Sequence, residues 1–253
     1  MNLYNHIVTN HLEKIKSVMP NWRTHLVGVF LYGSQNYNAD TEFSDVDTKA
    51  IYVPTLQQLT TEHPDKATTF SLDNGEKCEL MSITHFVNNL YKQNINFVEV
   101  IFTKHFWLNP RYKPLWDMYF TSKRENIARY DVKKTRLSSC GQALHTLSQY
   151  KNAKKIGEVQ RVLWFLEKYK AEKPYLECST LNEEERKFVV ECKENPNMAF
   201  SIEYLGSLKT KLDEEWVSAN ALKKEIDKEI KTFLNLSIQH FVKRGLMYEE
   251  THF

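Results

Sequence analysis

Residues 30–53 read FLYGSQNYNADTEFSDVDTKAIYV, and this stretch decides the expected fold. The apolar run HLVGVFLY (25–32) that leads into it favours a buried strand, and Gly33 ends that run. The closing run DVDTKAIYV alternates its side chains as a second strand does. Because a strand points side chains i and i+2 to one face, we expect Asp45 and Asp47 to point the same way.

This arrangement of carboxylates predicts a metal site. Two carboxylates on one strand face repel each other, and both stay ionised at neutral pH when a cation compensates them. Mg²⁺ suits such a pair, since it takes oxygen ligands and leaves positions open for water and substrate phosphates. The Gly33-Ser34 turn adds backbone N–H groups that a phosphate can approach, and a hydroxyl. Taken alone, the Gly-Ser pair is more often an ordinary polar turn, and the Asp-x-Asp pair is more often an ordinary polar strand end.

A third carboxylate on a neighbouring strand would complete a two-metal site. Glu79 lies in the strand-like run CELMSI and is the expected third ligand. The alternative is a strand-edge charge that faces solvent. Asp73 and Glu76 lie closer to the turn Asp73-Asn74-Gly75, which predicts a hairpin, and we rank them below Glu79.

The rest of the first hundred residues alternates helix and strand patterns. Apolar spacing predicts a helix over 3–18, ended by Pro20. Thr84 is the expected N-cap of a helix over HFVNNLYKQ, and NFVEVIFT is an apolar run of ambiguous type. Glu99, in that run, is either a supporting residue of the site or a buried carboxylate paired with a basic side chain. We therefore predict an α+β fold with a small mixed sheet.

From about residue 115 the pattern becomes helical throughout. The helix candidates are NIARYDVKKTRLSSCGQALHTLSQY, KIGEVQRVLWFLEKYK, NEEERKFVVECKEN and SANALKKEIDKEIKTFLNLSIQHFVKRG. The segment HFWLNPRYKP (105–114) is the expected hinge. The predicted organisation is a catalytic domain over 1–108 and an all-helical domain over 109–253.

Composition limits the classes of function. The formal net charge is +2, so a polyanion such as RNA would need a local basic patch. The four cysteines are widely separated, which favours reduced thiols in a cytoplasmic protein. The N-terminal run is amphipathic and charged, unlike a signal peptide, and we expect no membrane span. None of the nine histidines forms a ligand or acid–base pairing that the sequence makes recognisable.

Gly33-Ser34, ten intervening residues and Asp45-Val46-Asp47 resemble the signature of DNA polymerase β superfamily nucleotidyltransferases. The stretch is most similar to the predicted nucleotidyltransferases associated with bacterial RNA-repair operons and to their phage-encoded relatives. It departs from that pattern twice, with Lys49 in place of the usual arginine and Asn38 in place of a common glycine. The matching positions are Tyr32, Gly33, Ser34, Tyr37, Ser44, Asp45, Asp47, Lys49 and the strand end 51–54.

This resemblance implies a polymerase-β-like catalytic domain that moves an NMP from an NTP to an acceptor hydroxyl. Asp45, Asp47 and Glu79 would be the catalytic residues and the ligands of Mg²⁺, with Mn²⁺ as an alternative. Weaker similarity downstream matches Asn94 and Glu99 to a family segment. The implied nucleotide-binding residues are Gly33, Ser34, Tyr37, Lys49, Lys155 and Arg161.

The RNA-repair resemblance implies that the acceptor is an RNA 3′ end, such as that of tRNA. Alternatives are transfer to a protein or a small molecule, and a catalytically silent nucleotide-binding interaction module. Arg161 interrupts an amphipathic helix and is a candidate phosphate contact, whereas most of the other basic residues fit a solvated helix face better than a binding role. The basic residues of the first C-terminal helices are Lys133, Lys134, Arg136, Lys151, Lys154, Lys155 and Arg161.

Overall fold

The structure, a computed structural model, describes residues 2–42, 44–61, 67–223 and 227–250. Five strands within these ranges form one mixed sheet in the order β3-β4-β2-β1-β5. β2 and β4 run parallel, and the other neighbouring pairs run antiparallel. The strands are β1 (Leu26–Tyr32), β2 (Asp47–Tyr52), β3 (Thr68–Ser71), β4 (Lys77–Ser82) and β5 (Phe106–Leu108).

Helices flank the sheet and form the chain after β5. A π-helical segment, Ile7–Leu12, joins the first two, and 3-10 turns cover Ser34–Tyr37, Glu99–Ile101 and Thr121–Lys123. The α-helices are α1 (Leu3–His6), α2 (Glu13–Val18), α3 (Trp22–His25), α4 (Leu56–Thr61), α5 (Ile83–Tyr91), α6 (Ile95–Val98), α7 (Lys113–Tyr119), α8 (Arg124–Arg129), α9 (Val132–Ser148), α10 (Ala153–Lys170), α11 (Tyr175–Ser179), α12 (Glu183–Glu194), α13 (Ile202–Ala221) and α14 (Lys228–Glu250). The fold is therefore α+β, with a helical C-terminal region.

The two faces of the sheet bury different cores. We call the side that carries Asp47, Lys49 and Ile51 the front face, and the side that carries Thr48 and Ala50 the back face. Ile51 belongs to a large core that also includes α5, α7, α10 and α14. Ala50 belongs to a smaller core with the N-terminal helical segments. Alternation along β2 therefore sends neighbouring residues into two separate environments.

Several predicted elements are confirmed. The run over 3–18 is helical up to Val18, and β1 covers the predicted first strand. The Asp73-Asn74-Gly75 turn joins β3 to β4 as an antiparallel hairpin. Gly75 has a φ of 89°, in the region that glycine tolerates.

The expectation that Asp45 and Asp47 share one strand is wrong, because β2 begins at Asp47. The backbone groups just before β2 bond to side chains instead of to a neighbouring strand. The Val46 N–H donates to Glu76 Oε1 at 3.2 Å, and the Asp45 carbonyl accepts from Gln35 Nε2 at 2.8 Å. Asp45 is therefore held in the loop that leads into β2.

Two helix boundaries also differ from prediction. Ser82, not Thr84, caps α5, because Ser82 is extended at the end of β4 and its hydroxyl accepts from the His85 N–H at 3.0 Å. The last predicted helix is divided between α13 and α14. Asp227 lies at this break and accepts from the N–H groups of Glu229 and Ile230, each at 3.0 Å. An aspartate that caps a new helix therefore interrupts the continuous pattern.

A similar break divides the first predicted C-terminal helix into α8 and α9. Asp131 caps α9 by accepting from the Lys134 N–H at 2.9 Å. The expected hinge, 105–114, contains β5, which pairs with β1. The large core includes residues from both sides of this segment, and the domain boundary at 108 stays a prediction. No helix in the described ranges has the length and hydrophobicity needed to cross a membrane.

Candidate functional site

The Gly33 turn lies where β1 ends and β2 begins. β1 pairs with β2 so that Tyr32 is opposite Asp47, and Gly33 follows with φ 99° and ψ −149°. Residues other than glycine rarely adopt such a positive φ. A Cβ built at Gly33 would meet no atom within 4 Å, so there is open space beside this backbone. The 3-10 turn Ser34–Tyr37 begins at this point.

Asp45 and Asp47 lie close enough to influence each other. Asp45 is exposed and Asp47 is half-buried. Burial raises the pKa of Asp47, and the Asp45 charge adds to the increase, although the Lys77 backbone N–H opposes it. That N–H donates to Asp47 Oδ1 at 2.9 Å. A cation bound by both carboxylates would offset the burial and the repulsion from Asp45 that raise the pKa of Asp47. These carboxylate oxygens therefore suit a divalent ion that prefers oxygen ligands.

Glu79 is paired with Lys49 on the front face. The two residues are opposite each other across the parallel β2/β4 pair, and their side chains form an ion pair. Lys49 is almost fully buried, and its Nζ lies 3.9 Å from the Tyr32 ring centroid and 4.7 Å from that of Phe97. Lys49 therefore compensates the Glu79 charge. The predicted roles of Glu79 as a metal ligand and of Lys49 as a nucleotide contact stay predictions.

Glu99 is a buried acid directly beside the Gly33 turn. Its Oε2 is 3.5 Å from the Gly33 nitrogen, which donates to it. Burial raises the pKa of Glu99 to about 7, against the opposing effects of the Tyr37 hydroxyl, Arg161 and Lys49. Its Oε1 is buried and makes no hydrogen bond of regular geometry within the described part of the chain. Glu99, with its raised pKa, thus lies next to the open space beside Gly33.

Two other predicted nucleotide contacts surround Glu99. Tyr37 is buried, and desolvation raises the pKa of its hydroxyl well above the usual value. The Arg161 guanidinium lies 4.0 Å from the centroid of the Tyr37 ring, within range of a cation–π contact. The sequence links Arg161 to phosphate by its position in an amphipathic helix, and the fold brings it to the same group as Gly33, Tyr37 and Glu99.

Lys155, another predicted nucleotide contact, pairs with a neighbour on its own helix. Its Nζ pairs with Glu158 on the next turn of α10 at 2.9 Å, and both side chains are more than one third exposed. Other members of the basic set also have partners. Arg136 is buried against Glu215 at 2.6 Å, and Lys133 donates to the carbonyl of Asn220 at 2.8 Å. These cations therefore hold helices together as well as contributing positive charge.

The structure also groups His6, His11 and Glu76, which sequence patterns do not bring together. The Nε2 atoms of His6 and His11 lie 2.7 Å and 3.2 Å from Glu76 Oε2. Burial lowers the pKa of His11 despite the nearby Glu76 charge. The pKa of Glu76 is lowered as well, because hydrogen bonds from His6 and other donors outweigh the effect of burial. The cluster therefore favours an ionised carboxylate beside a neutral imidazole.

In comparisons with known proteins, no family model and no curated protein matches this chain. The resemblance of residues 32–54 to a nucleotidyltransferase family accordingly stays a prediction. What the fold adds is the relative position of the residues that carry it. Gly33, Asp45, Asp47, Tyr37 and Arg161 lie around the junction of β1 and β2, whereas Lys155 is paired with Glu158 on its own helix.

Proposed function

We propose that this protein is a metal-dependent nucleotidyltransferase with a polymerase-β-like fold. It transfers an NMP from an NTP to an acceptor hydroxyl, and pyrophosphate leaves. The observation that supports the proposal best is the register of β1 and β2. Because Tyr32 is opposite Asp47, the Gly33-Ser34 turn leaves β1 directly beside the aspartates. A phosphate group at the turn and a cation on the carboxylates would then be neighbours, as NTP chemistry requires.

The residues of the chain have separate roles in this reaction. Gly33 lets the backbone approach the outer phosphates closely, and Ser34 binds them through its backbone N–H and its hydroxyl. Asp45 and Asp47 hold Mg²⁺ or Mn²⁺, which supplies positive charge against the charge that develops on the phosphate oxygens. Glu99 holds the Gly33 turn by accepting from the Gly33 N–H, and its raised pKa lessens the negative charge near the triphosphate.

The chemistry is a displacement at the α-phosphorus. The acceptor oxygen loses its proton and bonds to that phosphorus, while the bond to the β-phosphate oxygen breaks and pyrophosphate leaves. The RNA-repair resemblance points to an RNA 3′ end as the acceptor, and tRNA is our first candidate. A protein or a small molecule is the alternative acceptor.

A second candidate function is nucleotide binding without transfer. The Glu79–Lys49 ion pair favours it, because the third carboxylate already has a cationic partner. In that case the protein would be an interaction module that retains the NTP site. It would bind an NTP and metal through Gly33, Asp45 and Asp47 and would form no covalent product.

One experiment separates these candidates. The protein is incubated with each NTP labelled at the α-phosphate, with Mg²⁺ or Mn²⁺, and with total RNA or a cell lysate. Label on RNA supports the first acceptor class, and label on a polypeptide or a small molecule supports the alternatives. Saturable NTP binding with no labelled product supports the silent module. If no NTP gives a labelled product and none binds, the proposed function is contradicted.

A further inference from the structure

We propose that His6, His11 and Glu76 form a binding site for a divalent transition metal ion of the Zn²⁺ class. This site lies behind β2, on the side opposite Asp47, and is separate from the proposed nucleotidyltransferase centre. One ligand atom from each residue lies within 4.8 Å of the other two. The three ligands come from the N-terminal helical stretch and from the hairpin residue that precedes β4, so an ion here would join two elements.

The distances are close to those of a metal site. Zn²⁺ binds imidazole nitrogen and carboxylate oxygen at about 2.0–2.2 Å, which places tetrahedral ligand atoms about 3.3 Å apart. His11 Nε2 is 3.2 Å from Glu76 Oε2, and His6 Nε2 is 2.7 Å from the same oxygen. The cluster therefore needs to open by about 0.6 Å on one side to take the ion. His6 is partly exposed, at 15 % of its side chain, and provides both that movement and a path of entry.

The π-helical segment explains why two histidines five residues apart converge. Residues five apart in an α-helix lie about 140° apart around the axis, so they face different directions. A π-helix bonds i to i+5, which places such residues nearly above one another. Ile7–Leu12 is π-helical between His6 and His11, and the two ring centroids are 5.7 Å apart. Short π segments occur often at functional sites.

The second ring nitrogen of each histidine and the second carboxylate oxygen of Glu76 also have hydrogen-bond partners. His11 Nδ1 is 2.9 Å from Thr48 Oγ1, and His6 Nδ1 is 3.1 Å from Asn10 Nδ2. The Thr48 hydroxyl can donate or accept, so His11 can turn its Nε2 lone pair toward a metal. Asn10 Nδ2 only donates, so His6 can do the same once the Asn10 amide turns its oxygen toward His6 Nδ1. Glu76 Oε1 accepts from the Val46 N–H, which leaves Oε2 to the histidines.

The ligand set selects the kind of ion. Two imidazoles and one carboxylate suit Zn²⁺ and neighbouring transition metals, whereas Mg²⁺ prefers oxygen ligands alone. Three protein ligands leave a fourth position for water. Because Val46 lies between Asp45 and Asp47, an ion bound at Glu76 would fix the loop that carries the front-face carboxylates. The site would then stabilise the catalytic region.

The test uses tag-free, metal-free protein titrated with ZnCl₂ by calorimetry in excess Mg²⁺, and with CoCl₂ by visible absorption. We expect the wild type to bind one equivalent of Zn²⁺, and its melting temperature to rise with the ion. His6→Ala should lose at least about 100-fold in affinity, more than the loss of a supporting hydrogen bond causes. His145→Ala is the matched control, since it removes an exposed imidazole from α9.

His6 is the first choice of variant because it is only partly buried, whereas His11 is fully buried and its removal can impair folding. A second variant, Glu76→Gln, keeps the shape and removes the anionic ligand. Equal affinity in His6→Ala, Glu76→Gln and wild type would overturn the proposal, as would a wild-type Kd weaker than about 100 μM. Asp45→Asn removes one carboxylate of the proposed transferase centre and should bind Zn²⁺ like wild type, so this result does not depend on the proposed transferase activity.

Discussion

The two faces of β2 use charged side chains in different ways. On the front face, Lys49 and Glu79 neutralise each other, and Asp47 keeps a raised pKa beside Asp45. Behind the strand, the neighbouring Thr48 supports a histidine that shares a carboxylate with another histidine. One strand therefore has carboxylate oxygens near the Gly33 turn and imidazole nitrogens behind it. Residues one apart in sequence can serve two ions of different chemistry.

We expect the largest effect on activity from a substitution on the front face. Asp47→Asn keeps the shape of the side chain and removes one charge that would hold the metal. NMP transfer should fall on the order of a thousandfold, as when a major electrostatic contact to a transition state is removed. Asp213→Asn, in an exposed pair on α13, is the matched control and should keep full activity. The check is initial rates of label transfer alongside circular dichroism.

The Lys49–Glu79 pair should matter more for stability than a surface pair does. Lys49→Met leaves Glu79 without its cation and should lower the free energy of unfolding by about 2–4 kcal/mol. Lys155→Met removes a cation from an exposed pair and should cost less than about 1 kcal/mol. Urea denaturation of both variants measures the difference. Equal losses would contradict the burial of the Lys49 pair.

Glu99 should make stability depend on pH. Its pKa is about 7 in the folded protein, against an ordinary value of 4.5, so the folded state keeps a proton that the unfolded state loses. Glu99 should therefore subtract about 3 kcal/mol from the stability of wild type as pH rises from about 4.5 to 7. Glu99→Gln cannot titrate, and its stability relative to wild type should increase over this range. Parallel curves for the two proteins would exclude this role of Glu99.

Gly33 should tolerate substitution less well than a helical glycine. Gly33→Ala forces an L residue into positive φ and should cost about 1–3 kcal/mol, although the space for a methyl group is free. Gly206→Ala, on an exposed turn of α13 with equally free space, should stabilise by about 0.5–1 kcal/mol. Thermal unfolding of the two variants tests the sign in each case. If Gly33→Ala unfolds at the same temperature as wild type, the turn has changed its backbone conformation to avoid the positive φ.

Much of the sheet can be predicted from sequence. The apolar run before Gly33, the alternation after Asp45 and the Asp73-Asn74-Gly75 turn are local signals, and they predict β1, β2 and the hairpin. The start of β2 is missed because a distant side chain takes part: Glu76 accepts from the Val46 N–H, which no periodicity reveals. The helix breaks are missed because Asp131 and Asp227 cap new helices within continuous helical patterns.

The residues of the candidate site also differ in how well the sequence predicts them. Gly33, Asp45 and Asp47 can be found from their spacing, because they lie at one junction of adjacent strands. The pairing of Lys49 with Glu79 depends on the register of a parallel crossover, and Arg161 reaches Tyr37 only through the packing of α10. The His6–His11 pair is missed because α-helical spacing predicts divergent side chains. A π-helical turn changes that geometry.

The central claim is that this protein transfers a nucleotidyl group from the metal site at Asp45 and Asp47. The most direct test compares NTPs labelled at the α- or the γ-phosphate, with wild type and the Asp45→Asn/Asp47→Asn variant. We predict that wild type transfers α-label and no γ-label to an acceptor, and that the folded variant transfers neither. Full transfer of α-label by the variant, or transfer of γ-label by wild type, would contradict the claim.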